Sequence, residues 1–182
     1  MSSAPALRAQ RTAPPAAATG PAVVLLHGFA TGGAQDWPAD RWAAPLAAAG
    51  RETLVVDLPG HGGGPAVTSA AEVTTARVLD ALAATVHAAG VAEIDVVGYS
   101  LGARLAWDLA ARSPVPVRRL VLGGLSPVEP FGAVDLAAAR AFVRGGPPPA
   151  DPLTGIIAGM AAGPGRDADS LLFLVAGEAL HE

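Results

Sequence analysis

The stretch Val96-Val97-Gly98-Tyr99-Ser100-Leu101-Gly102-Ala103-Arg104 decides how this chain is read. It begins as a short apolar strand, bends at one residue and enters the first turn of a helix. Ser100 sits at the bend, flanked by Gly98 and Gly102 in the pattern Gly-x-Ser-x-Gly. A serine on a sharp strand-to-helix turn has an exposed hydroxyl and a strained backbone. Glycines two residues to either side leave room for strand and helix to pack closely. The helix N-terminus points unpaired N–H groups and a positive dipole end at that hydroxyl, which suits a developing oxyanion.

Outward from this turn the chain alternates strand and helix. Ala22 to Leu26 is a continuous apolar run ended by His27-Gly28, as in a strand buried on both faces of a parallel sheet. An alanine-rich helix is predicted over 39–49, with Gly50 as its stop. Thr53 to Val56 is the next strand, followed by the long turn Asp57-Leu58-Pro59-Gly60-His61-Gly62-Gly63-Gly64-Pro65. A helix runs from a cap at Thr68 or Ser69 to Ala89. Ile94 to Val97 is the third strand, Leu101 to Arg112 a helix, and Val117 to Leu122 the fourth strand. The order β-α-β-α-β-α-β implies an α/β fold with a doubly wound, mainly parallel sheet. Residues 1–20, rich in Ala, Pro and Thr, read as a disordered leader, and residues 21–126 as the core. Residues 127–182 read as a helical cap or lid.

Composition narrows the function classes. The chain has 182 residues and a net charge of −4, and its basic residues are all arginine. With no basic run, nucleic acid is excluded as the expected partner. There is no cysteine, so disulfides and thiolate chemistry are ruled out. No segment has the roughly 18 uninterrupted apolar residues of a membrane span. A soluble cytoplasmic protein acting on a small molecule, with no cofactor and no metal, is the expectation.

Three motifs follow apolar runs in order: His27-Gly28-Phe29, Asp57-Leu58-Pro59-Gly60-His61-Gly62 and Gly98-Tyr99-Ser100-Leu101-Gly102. Together they resemble the α/β-hydrolase superfamily over roughly residues 20–126. The resemblance implies that Ser100 is the nucleophile and that the backbone N–H groups of Leu101 and Phe29 form an oxyanion hole. It implies that His27 structures its loop and is not a base. His61 and Asp57 read as parts of a structural turn, His87 as a helix-end residue and Asp95 as an edge or packing residue. Arg104, four residues after Ser100, is placed to pair with an acid or to anchor a substrate carboxylate, or else is a surface arginine. The phrases around Asp57 and Ser100 are similar to the menaquinone-pathway synthase branch, which eliminates pyruvate from a carboxylate-rich substrate. Ala103 stands where that branch has a glycine.

The superfamily orders its triad Ser, acid, His. The one histidine beyond Ser100 is His181. Leu171 to Glu178 resembles a late strand ending in Ala-Gly, which would make Glu178 the acid and His181 the base. Three residues cannot span the helix and strand that the family places between them. A helical reading fits better. Asp167 or Asp169 caps it, and Leu171, Leu174, Val175 and Ala179 recur at a 3.6-residue period. Residues 167–182 then form a last cap helix, and the strands carrying acid and histidine are expected to be missing. Val117–Leu122 would be a bare sheet edge open to self-association.

Three readings follow. The first is a serine hydrolase acting on a small ester, amide or thioester, impaired in this chain. The second is a synthase or lyase using Ser100 in proton transfer. The third is a non-catalytic degenerate core.

Overall fold

The computed structural model describes residues 6–126 and 128–178. Residues 1–5 of the expected leader, with Ala179, Leu180 and His181, lie outside the described residues. The strands are β1 (Ala9–Thr12), β2 (Ala22–Leu26), β3 (Thr53–Val56), β4 (Ile94–Tyr99) and β5 (Val117–Gly123). They form one sheet in the order β1-β3-β2-β4-β5. β3, β2, β4 and β5 are parallel, while β1 runs antiparallel to β3. All five residues of β2 are buried, as expected of a central strand covered on both faces.

Helices cover the two faces. The short α1 (Gly33–Asp36) and α2 (Ala43–Ala48) lie on one. There Trp37 and partly buried Trp42 and Leu46 pack on Val23, Leu25 and Val55. The other face holds the larger core, built on α3 (Thr75–Ala88) and α4 (Leu101–Arg112). Val24, Leu26, Val96, Leu82, Leu105 and Leu109 meet there. A C-terminal layer of α5 (Leu136–Val143), α6 (Pro152–Ala161) and α7 (Ala168–Glu178) joins the same core through Ala139, Ala158, Leu171 and Leu172. Asp135 and Asp151 cap α5 and α6, accepting from backbone N–H groups of the first turn. Of the two caps proposed for α7, Asp167 is the one used: its Oδ1 accepts from Ser170 N at 3.1 Å.

The structure corrects the sequence reading at three places. Residues 9–12 are not a loose leader but a strand paired Ala9↔Val56 to Thr12↔Thr53. Just before them, buried Leu7 donates its N–H to Thr85 Oγ1 at 2.7 Å. α2 occupies only Ala43–Ala48 of the predicted 39–49. α3 starts at Thr75, capped by Thr74, not at Ser69. The reason is α7, which lies backbone to backbone on the segment before α3. A Cβ on Gly177 would stand 2.5 Å from Val73 O and 2.7 Å from Ala70 O.

β5 ends the sheet among the described residues. Val121 on it is 59% exposed and Trp107 of α4 is 62% exposed. No helix among the described residues is long and apolar enough to cross a membrane.

Candidate active site

β4 delivers Ser100 and β2 delivers Phe29 to the same C-terminal edge of the sheet. Ser100 has φ 51° and ψ −114°, a region disfavoured for a side chain-bearing residue. Its N–H donates to Gly123 O at 2.8 Å, and its carbonyl accepts from Ala103 N and Arg104 N at 3.0 and 3.2 Å. The bend is therefore tied to β5 on one side and to the first turn of α4 on the other. The flanking glycines are there for space. A Cβ on Gly98 would lie 2.7 Å from Ala103 Cα, and one on Gly102 would lie 2.6 Å from His27 O. Both would strike backbone, which cannot move aside.

The β2 loop is held by polar groups on both sides of Phe29. Asp36 Oδ2 accepts from Gly28 N at 2.8 Å and from Thr31 Oγ1 at 2.8 Å. His61 Nε2 accepts from Ala30 N at 2.9 Å. Ala30, at φ 57°, is with Ser100 one of the two non-glycine residues of positive φ among the described residues. With Gly28 N and Ala30 N engaged, the N–H of Phe29 between them has no hydrogen-bond partner among the described residues, and neither has that of Leu101, the first residue of α4. A Cβ on Gly28 would stand 3.6 Å from Ser100 Cβ, so the loop and the serine are neighbours.

Both nearby histidines are occupied by backbone. His27 Nε2 accepts from Leu58 N at 3.0 Å, and His61 Nε2 accepts from Ala30 N, so each ring carries its proton on Nδ1. Those Nδ1–H groups donate to Gly28 O and Pro59 O, each at 2.8 Å. Burial, the largest influence, lowers the pKa of His27 and pushes that of His61 down to about 3. Asp57 accepts from Gly33 N at 2.9 Å and Gly63 N at 3.0 Å, bracing the same turn. Asp95 sits at the opposite end of β4 from Ser100. Its carboxylate takes hydrogen bonds from Arg118 at 2.9 and 2.6 Å and from Arg51 at 2.6 Å, and the Arg118 bonds foremost hold its pKa below the ordinary range.

Beside Ser100 is a cavity of about 120 Å³. Phe29, Leu101 and Phe131 line it, with Ile157 and Met160 of α6. The rings of Phe29 and Phe131 stand 5.3 Å apart. Arg104 lines it too, with Nη1 3.0 Å from Glu129 Oε1. That Nη1 is nevertheless without an aligned hydrogen bond, so the contact is one of charge on charge. Glu129 is itself fixed, accepting from Phe131 N at 2.7 Å and Gly132 N at 2.8 Å. Glu178, fully buried at the end of α7, accepts from Thr75 Oγ1 at 2.9 Å, while its Oε1 has no hydrogen bond. Desolvation raises its pKa to about 7, against the opposing pull of Thr75 and Arg104. It lies in a helix, not in the strand that an acid of the family order would need.

The sequence reading missed Asp36 and Glu129. Asp36 acts five and eight residues back on the β2 loop, whereas Glu129 accepts from N–H groups two and three residues ahead, so that its local turn is readable and its distant partner Arg104 is not. Among the described residues no group of three or more His, Asp or Glu is placed to hold a metal ion.

Residues 21–146 match the family described as alpha/beta hydrolase fold, and the chain belongs to it. The pimeloyl-[acyl-carrier protein] methyl ester esterase of Aromatoleum aromaticum is 42% identical over 107 residues, 59% of this chain and 38% of that protein. The 2-succinyl-6-hydroxy-2,4-cyclohexadiene-1-carboxylate synthase of Yersinia enterocolitica is 38% identical over 90 residues, 48% of this chain and 29% of that protein. The chain thus spans less than two-fifths of the length of these relatives. Among solved structures, the bottromycin epimerase BotH aligns with TM-score 0.63 and 23% identity over 94% of this chain and 67% of its own. MenH from S. aureus aligns with TM-score 0.61 and 22% identity over 76% of this chain and 52% of its own. At these identities the two structures speak for the fold alone.

Proposed function

We propose that Ser100 is the nucleophile of an acyl-transfer site for a small ester, amide or thioester. The observation that carries this reading is the pair of unpartnered N–H groups, Phe29 and Leu101, beside a serine held at positive φ. Ser100 Oγ adds to the substrate carbonyl carbon and its proton passes to a base. The carbonyl oxygen becomes an oxyanion held by the two amides. The bond to the leaving oxygen, nitrogen or sulfur then breaks, that atom takes a proton, and water later releases the acid from the serine. Two preorganised donors supply several kcal/mol of barrier lowering, ~3 for each one removed in comparable sites. The α5–α7 layer acts as the lid that shapes the acyl pocket.

The base is the weak point. Both described histidines near the site use their ring nitrogens on backbone. His181 lies outside the described residues. We propose that the chain is impaired, its described residues supplying the oxyanion-hole share, roughly 10³–10⁴ over water. A second reading, a synthase or lyase in which Ser100 moves protons, is favoured by the synthase relatives and by Arg104 in the pocket wall.

A fluorophosphonate time course read by mass spectrometry tests the first reading. The expected result is an adduct on Ser100 alone, formed more than about 10³-fold more slowly than with a triad-complete family esterase. An adduct spread over other serines, or none on Ser100, removes the nucleophile. Labelling at the full rate removes the impairment.

A further inference from the structure

We propose that Glu129 is a specificity-determining residue: as an internal counter-ion to Arg104, it closes the pocket to substrates with a free carboxylate and reserves it for short uncharged acyl groups. The inference rests on Ser100 and its pocket being the acyl site.

Four observations converge on it. Arg104 is the one cation among the described residues lining the cavity, and its side chain is only 19% exposed, so its charge is felt at short range with little screening. The Glu129 carboxylate, 14% exposed, stands 3.0 Å from it and cancels that charge. Two backbone N–H groups hold Glu129 there, so it is not a surface side chain passing by. A second carboxyl, Glu178, lies within the field of Arg104 with one oxygen unbonded, so that among the described residues no positive charge is left in excess for an incoming anion.

A carboxylate ligand must displace Glu129 from Arg104. That separates a mostly buried carboxylate from a guanidinium 3.0 Å away, a penalty set against the gain of an equivalent new pair. An uncharged chain meets no such competition against Phe29, Leu101 and Ile157. The cavity is small, about 120 Å³, which suits a short acyl chain. Specificity thus comes from an attraction already satisfied inside the protein. Nη1 has no aligned hydrogen bond, so Arg104 is able to receive a carboxylate once Glu129 is neutralised.

The test compares succinamate with succinamide, which have the same number of heavy atoms and differ by one charge, by isothermal titration calorimetry on the full chain. The unmodified protein is expected to bind succinamide at least as tightly as succinamate. Glu129→Gln, which removes the charge and keeps an acceptor for one of the Phe131 and Gly132 N–H groups, is expected to tighten succinamate by about tenfold or more and to leave succinamide within about twofold. Adding Arg104→Met to Glu129→Gln should cancel the gain. Succinamate bound about tenfold more tightly than succinamide by the unmodified protein overturns the proposal, and this arm needs no variant. Equal tightening of both ligands in Glu129→Gln also overturns it. Binding does not require Ser100 chemistry, so a failed fluorophosphonate experiment and a failed titration point to different faults.

Discussion

The two flanks of the sheet are built to different standards of closure. On the β1–β3 flank each loop at the C-terminal edge is tied down: His27 to Leu58, His61 to Ala30, Asp57 to Gly33 and Gly63, and Ser170 Oγ to Val67 N at 2.9 Å. On the β5 flank the outermost strand is open, with Val121 and the neighbouring Trp107 in solvent. Ser100 lies on the boundary, at the end of β4. The difference teaches that polar residues near a candidate nucleophile are not thereby catalytic. On the closed flank they hold the loop that presents the unpartnered Phe29 N–H, and that use removes them as acids or bases.

The largest expected effect comes from the crowded boundary itself. Gly102→Ala puts a methyl 2.6 Å from His27 O. It is expected to cost more than about 3 kcal/mol, read as loss of soluble protein or a lower urea midpoint. Retention of the full midpoint would mean that strand and helix do not approach as closely as described.

The closed flank should reveal itself through pH. His27 and His61 have pKa values depressed by burial. The unfolded chain therefore takes up protons that the folded chain refuses, and stability falls as pH drops below the unfolded histidine value near 6.5, by up to about 1.4 kcal/mol per pH unit for each. Glu178 acts in the opposite sense. Its folded pKa is raised to about 7 from 4.5, so stability declines as pH rises between those values and is flat above. Glu178→Gln should thus stabilise the protein by about 2–3 kcal/mol at pH 8 and by little at pH 4.5, with a steeper loss toward acid. Thermal melts across pH 4.5 to 8.5 would show it, and equal gains at both ends would refute the assignment.

The smallest effect is expected on the open flank. Val121→Lys should change stability by within about 0.5 kcal/mol. It should also reduce any concentration-dependent association seen by sedimentation velocity, because a charge on an edge strand opposes strand-to-strand pairing. A large loss of stability would mean that Val121 is covered.

How much of this was legible depends on the range of each interaction. β2 is a continuous apolar run, and β3 and β4 are largely so, and a buried strand advertises itself that way; β5 is legible from Leu120-Val121-Leu122 between a proline and two glycines. β1 does not: Ala-Gln-Arg-Thr is an edge strand whose place comes from backbone pairing with β3, and its side chains carry no alternation. The start of α3 was obscured for a similar reason, since α7, a hundred residues later, occupies the segment before it. At the site, Gly98, Ser100 and Gly102 are legible because they stand within five residues in one pattern, although the backbone that crowds Gly102 belongs to the end of β2 and His27. Arg104 is legible as a residue near the serine, but its state is not, because Glu129 reaches it from the loop after β5. Asp95 reads as an edge or packing residue, and what the sequence does not show is that its carboxylate is shared by Arg51 and Arg118, partners from another loop and strand.

The clasp between α7 and residues 67–75 also sets an order of assembly. Ser170 with Val67, and Glu178 with Thr75, each join positions 103 residues apart, whereas β2, β3 and β4 meet over shorter loops. Closing a loop of that length costs about 4 kcal/mol of chain entropy before any contact forms. The sheet and α4 should therefore gain structure first, and α7 should lock late and exchange its amides soonest in the native state. α7 is then the part of the molecule that opens most readily without unfolding the rest, and it packs on α6, which lines the cavity beside Ser100.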